Sequence, residues 1–196
     1  EMLIRSYLNV VADLETVGLY NAGFVLTVTY ASMVFSAMET DYFPRLSAVN
    51  NNRDSVNLIV NRQIEVSLLI VSPMLASLII ALPVLMPLLN SGEFMPVVGM
   101  AQVAVFSMYL KAVSLPVAYV TLAKGDSVAY LILEAIYDVL LVLLIIYGYS
   151  RWGLWGTGLA LSVSYLLDMI LIFVYARLRY GFVMSRQVVC YMLVML

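Results

Sequence analysis

The chain has 196 residues, of which 64% are hydrophobic and only 11% charged, with a formal net charge of −2 and no histidine. A soluble domain carries roughly 25% charged residues, so this composition excludes a water-soluble fold and makes the lipid bilayer the natural solvent. The absence of a basic stripe argues against nucleic-acid binding, and the single Cys190 excludes an internal disulfide and any CxxC metal site.

The short segment before the first long apolar run, from Met2 to Tyr7, carries Arg5. Five apolar stretches follow, each long enough to cross a hydrocarbon core of roughly 30 Å, which takes about 20 helical residues. They are A, Val17–Met38; B, Ile64–Leu89; C, Val97–Ala123; D, Val128–Tyr149; and E, Gly153–Ala176. A further run begins at Val188 and reaches Leu196, which as helix spans only about 14 Å. The chain also opens at Glu1 with no initiator Met and no basic leader. The expectation is a fragment cut at both ends, with five complete spans and partial helices flanking them. Runs of this length without period-2 alternation predict an all-α, polytopic transmembrane helix bundle rather than a barrel.

Lys and Arg set the orientation. Arg45, Arg53 and Arg62 lie between A and B, Lys124 between C and D, and Arg177, Arg179 and Arg186 after E, against Arg5 and Arg151 on the other side. The first three connections are therefore expected in the cytoplasm. The A–B connection reads as the one long loop, with Pro44 stopping or sharply turning helix A. Its arginines serve first as anchors to acidic membrane lipid; their match to phosphate oxygens offers contact with a pyrophosphate headgroup as a second reading.

Pro73 and Pro83 in B, and Pro116 in C, remove backbone donors inside the spans and predict bent helices. As a set they are candidate gating hinges. Pro87 marks the exit of B. Gly158 and Ser162, four apart in E, leave one face narrow enough for close helix packing. Thr27, Thr29, Tyr30, Ser32 and Ser36 give helix A a polar content that reads first as bonding to helix backbone.

Ionisable residues inside spans are costly and should face a bundle interior or a water-filled cavity. Lys111 in C, Glu134 and Asp138 in D, and Asp168 in E are such residues. From the helical rise, Lys111 and Asp138 lie about 15–18 Å from the cytoplasmic ends, and Glu134 and Asp168 about 9–12 Å. Glu134 and Asp138 share one face of D. A Lys111–Asp138 pair near the midplane is geometrically allowed. Four charges at neighbouring depths point to a polar cavity for a charged or sugar-bearing substrate or a coupling ion, against the alternative of ion pairs that only fix helix packing.

Several motifs resemble those of a known family. Gly18-Leu-Tyr-Asn-Ala-Gly-Phe24 and Asp41-Tyr-Phe-Pro-Arg-Leu-Ser47 resemble the polysaccharide flippases of the multidrug/oligosaccharidyl-lipid/polysaccharide exporter superfamily. Ser91-Gly-Glu-Phe94, Lys111-Ala-Val-Ser-Leu-Pro116 and Gly153-Leu-Trp-Gly-Thr-Gly-Leu159 are similar to the same family, and Phe43 to Ser47 is the most specific element. The resemblance covers nearly the whole chain. It implies the C-terminal lobe of a two-lobe exporter, with A as the eighth helix of a fourteen-helix member and the N-terminal lobe missing. It implies alternating-access export of a lipid-linked oligosaccharide, on an undecaprenyl pyrophosphate carrier, across a bacterial inner membrane, with no cofactor.

Within that reading Lys111, Asp138 and Arg45 are expected to matter most. The alternative inside transport is a multidrug or small-metabolite exporter of the same superfamily. A membrane glycan polymerase or ligase is a weaker alternative. Such an enzyme needs a large external loop with a positioned acid–base pair, and the external links here are short, with Glu93 and Arg151 as their charges.

Overall fold

The structure, a computed structural model, describes residues 2–12, 14–89 and 95–195, and no strand occurs among them. Seven α-helices follow one another: α1 (Met2–Val11), α2 (Leu14–Phe24), α3 (Tyr30–Ala48), α4 (Arg53–Leu89), α5 (Val97–Ala123), α6 (Ser127–Tyr180) and α7 (Arg186–Val194). A single π-helical turn, Val25–Thr29, joins α2 to α3. The chain is an all-α bundle, as its apolar runs require.

Among the described residues, four helical stretches are long and apolar enough to cross a membrane: Glu15–Ser36, Arg53–Leu88, Val97–Ala123 and Ser127–Tyr180. The last holds 54 residues, which as one straight rod would measure about 80 Å. It is not straight. Gly153 has φ 58° and ψ −143°, a conformation that only glycine adopts without cost, and the chain reverses there. The backbones of Gly148 and Gly156 then touch, so that a Cβ on either would overlap the other's carbonyl. Tyr137 stacks on Tyr165 with ring centroids 5.0 Å apart, and Tyr175 and Tyr180 both reach Asp126. These contacts zip the first arm against the second over their whole length. Runs D and E are thus the two arms of a helical hairpin.

Helix α5 is the centre of the bundle. Most of its residues are buried, whereas the most apolar stretches of α4 and α6 are largely exposed, so α4 and α6 carry the apolar surface that faces lipid. The second arm of α6 crosses α5 at minimum distance, because Gly158 lies against the Met100 carbonyl and Ser162 Oγ donates to the Val103 carbonyl at 2.6 Å. Small residues permit such approach, which is the packing role expected of this pair. On the opposite flank, Gly23 of α2 sits against Val97 and Met100.

The A–B connection departs from expectation. It is no long loop, since α3 runs through Pro44 to Ala48 and α4 starts at Arg53. Pro44 is exposed, so the carbonyl it leaves unpaired on Thr40 is met by solvent and the helix continues. Asn52 caps α4, accepting from the Asp54 and Ser55 amides at 3.0 and 3.1 Å. The three expected cytoplasmic connections gather at one end of the bundle. Asn50 Nδ2 donates to the Ala123 carbonyl at 2.9 Å, and Lys124 Nζ donates back to the Asn50 carbonyl. Arg53 places two bonds, 3.1 and 2.7 Å, on the Gly181 carbonyl. One turn on, Asn57 and Asn61 hold the extended backbone at Val183 and Ser185.

Two predictions follow from these contacts. Gly156→Ala and Gly158→Ala each cost about 1–3 kcal/mol through overpacking, measured as a lowered unfolding midpoint in detergent, whereas Gly18→Ala, with open space around it, leaves the midpoint unchanged. Asp126 accepts from Tyr180 at 2.9 Å and Tyr175 at 3.2 Å, and these bonds, Tyr180 first, hold its carboxyl below the ordinary range. A lowered folded-state pKa gives stability that is present above the unfolded value, about 3.9, and is lost as pH falls through the folded value. Acid should therefore loosen the junction between Asp126 and the end of α6 only below about pH 4. Asp126→Asn should remove that dependence in a pH series of unfolding midpoints.

Candidate functional site

The charged residues of the spans come from three different elements. Lys111 projects from α5, half-buried, with Nζ 5.7 Å from the Phe35 ring centroid of α3 and 5.9 Å from that of Tyr165 in the second arm of α6. Cation–π attraction of this kind holds an ammonium without neutralising it. Asp168, one turn beyond Tyr165, is half-buried and within electrostatic range of both Lys111 and Glu134.

The Lys111–Asp138 pair allowed by depth is not formed. Asp138 is exposed, because Tyr137 takes the inward position against Tyr165 and the next residue turns about 100° round the helix. Glu134 is exposed on the same arm, with Tyr130 within hydrogen-bonding reach of it.

The site holds residues that charge-in-span reasoning missed. Glu39 stands one turn beyond Phe35 on α3, within hydrogen-bonding reach of Tyr119. Tyr130 lies within electrostatic range of Glu39, Glu134 and Asp168 together. Lys111, Leu115 and Tyr119 form the half-exposed stripe of α5 facing this group. Below Phe35 opens a narrow cleft between α3, α4 and α5, with an internal volume of about 10 Å³, lined among others by Glu39, Tyr42, Pro116 and Tyr119. The one signal in the sequence was the four-residue spacing from Phe35 to Glu39, hidden by reading Glu39 as the first residue of a loop.

The three arginines of the A–B connection have separate local tasks. Arg45 pairs with Asp41 at 2.5 Å, one turn back on its own helix, both side chains well exposed. Arg53 is spent on the Gly181 carbonyl. Arg62 is exposed and forms no ion pair among the described residues. The prolines do not break their helices: α4 continues through Pro73, Pro83 and Pro87, and α5 through Pro116. Pro73 and Pro83 lie on the exposed side of α4, whereas Pro116 is buried and its carbonyl accepts from Tyr42 Oη at 2.6 Å. In the first span, Thr27 and Ser32 donate to carbonyls one turn back, at 2.8 and 2.7 Å, the bonding to backbone expected of them. The Tyr30 side chain, Asn90 and the Ser91–Phe94 motif with Glu93 lie outside the described residues.

Residues 4–99 match the family model of a polysaccharide biosynthesis protein. The matched stretch carries Phe35, Glu39 and the three arginines but ends before Lys111. It ties this part of the chain to polysaccharide biosynthesis, in the membrane setting that the apolar helices supply. Comparison with curated proteins and with solved structures gave no match.

Arg45→Ala is expected to change stability by less than about 0.5 kcal/mol, as for an exposed i,i+4 pair. Arg53→Ala should cost about 1 kcal/mol, because it strips two hydrogen bonds from a helix C-terminus. Thermal unfolding of the two variants side by side measures the difference.

Proposed function

We propose that the chain forms one lobe of a flippase that moves a lipid-linked oligosaccharide, carried on undecaprenyl pyrophosphate, across a bacterial inner membrane by alternating access. The observation that carries this reading is the shared face on which α3, α5 and both arms of α6 place Glu39, Lys111, Glu134 and Asp168. Glu134 lies about 10 Å into its arm, and a carboxylate exposed at that depth is untenable against lipid tails. The face therefore borders water, as the wall of a transport pathway does. Tyrosines 119, 130, 137 and 165 give it a surface of rings and hydroxyls suited to sugars. The family match supports the polysaccharide side of the reading. No nucleophile or acid–base pair is assigned, and the chain acts as a transporter rather than an enzyme. The continuous helices keep Pro73, Pro83 and Pro116 as candidate bending points under load.

Deleting the gene that encodes this chain should cause lipid-linked oligosaccharide to accumulate on the cytoplasmic leaflet, reversed by complementation. Complementation with Lys111→Ala or Asp168→Asn should restore export at least about tenfold less well, the effect of losing about 1.4 kcal/mol of interaction. Wild-type export by both variants would remove the charged face from the mechanism. Intact surface glycan with altered drug tolerance on deletion would assign the chain to small-molecule export instead.

A further inference from the structure

Where α6 ends, the chain turns back on itself and opens a groove of about 450 Å³ beside the helix. Gly181, at φ 67°, ends α6 in the left-handed conformation. Its amide donates to the Arg177 carbonyl and that of Phe182 to the Ala176 carbonyl, both at 3.1 Å. The returning backbone is pinned at Val183, whose amide donates to Asn57 Oδ1 at 3.2 Å and whose carbonyl accepts from Asn61 Nδ2 at 2.9 Å. Phe182 is buried, its ring centroid 5.7 Å from that of Phe173. Main-chain bonds thus fix the shape of the groove in advance. Its lining is almost wholly apolar, with Val174, Leu178 and Val183 exposed along it.

The exception in that lining is Arg177. One of its five N–H donors reaches the Phe182 carbonyl at 3.3 Å, and the side chain is otherwise exposed. No acidic residue follows Asp168 in the chain, whereas Arg177, Arg179 and Arg186 all do.

We propose that this groove holds one molecule of an anionic phospholipid, with an acyl chain along Phe173, Val174, Leu178 and Val183 and its phosphate against Arg177. The site is independent of the cargo and goes beyond the flippase reading. An apolar groove with a guanidinium at its rim has the same order of parts as a lipid, and the planar fork of arginine matches phosphate oxygens. A zwitterionic headgroup brings its own ammonium towards three arginines, so a headgroup of net negative charge is preferred. The Lys and Arg distribution argues for this end of the bundle at the cytoplasmic leaflet, where anionic lipid attracts basic segments. A lipid seated here would bind α6 and the connection that Asn57 and Asn61 hold to α4.

The test uses the full-length protein in neutral detergent and native mass spectrometry. Dioleoyl phosphatidylglycerol, dioleoyl phosphatidylethanolamine and undecaprenyl phosphate are the probes. Wild-type protein should retain one phosphatidylglycerol at least about fivefold more tightly than phosphatidylethanolamine. Arg177→Gln should reduce that preference to about twofold or less. Val183→Trp, at an exposed side chain whose backbone bonds remain, should fill the groove and lower retention of both phospholipids severalfold. Equal retention of the two by wild-type protein, a preference that survives Arg177→Gln, or undiminished retention by Val183→Trp overturns the site. Displacement of phosphatidylglycerol by equimolar undecaprenyl phosphate also overturns it, since the groove would then belong to a carrier lipid. If Arg177→Gln does not fold, Val183→Trp decides. A deletion phenotype that refutes the flippase reading leaves this result standing.

Discussion

Everything in this bundle is arranged around a helix that has almost no lipid face. Because α5 is enclosed on most sides, its neighbours must come close, and close approach between helices in lipid depends on small residues rather than on hydrophobic driving force. Gly158 and Ser162 bring the second arm of α6 onto the Met100–Val103 segment, and Gly23 brings α2 onto the same region from another side. The half-open stripe of α5 formed by Lys111, Leu115 and Tyr119 is where the charged and aromatic residues of the other elements converge. Tight packing at one end of α5 and an open stripe at the other are two results of the same enclosure.

The hairpin in α6 has a comparable part. Gly148, Gly153 and Gly156 let two arms lie in backbone contact, which brings Tyr137 against Tyr165 and sets Asp168 within electrostatic range of Lys111. The polar face is thus built across a fold-back, by residues about thirty positions apart in sequence. Trp152 and Trp155, both half-exposed beside the turn, are placed as interfacial anchors are.

Much of the architecture was legible because lipid imposes a minimum apolar length. The α5 limits, Val97 and Ala123, equal the apolar run, and the glycine at the start of the fifth run proved to be the reversal point. What composition could not show was helix that continues beyond the apolar stretch. Residues 39–48 and 53–63 are polar, and they remain helical because their carbonyls are satisfied within the helix or by water; Pro44 interrupts that ladder only at an exposed position. That extension concealed Glu39. Depth along a helix was readable from rise, but azimuth between two helices was not. Lys111 and Asp138 were therefore matched by depth alone, whereas in the structure Asp138 is exposed and Asp168 is a carboxylate within electrostatic range of Lys111. The tyrosines gave no signal at all, since an aromatic in an apolar run looks like any other core residue.

The lacing at the charged end of the bundle has one further consequence. Asn50, Arg53, Asn57 and Asn61 donate to or accept from main-chain atoms at Ala123, Gly181, Val183 and Ser185. The side chains at the receiving positions are not read by these bonds. At Val183, whose side chain is exposed, the sequence is therefore free to drift while the path stays fixed, whereas Gly181 has the Arg53 guanidinium packed where a Cβ would stand and must stay glycine. The asparagines and the arginine on the giving side have no such latitude, for a shorter or forked side chain in their places would reach a different atom or none.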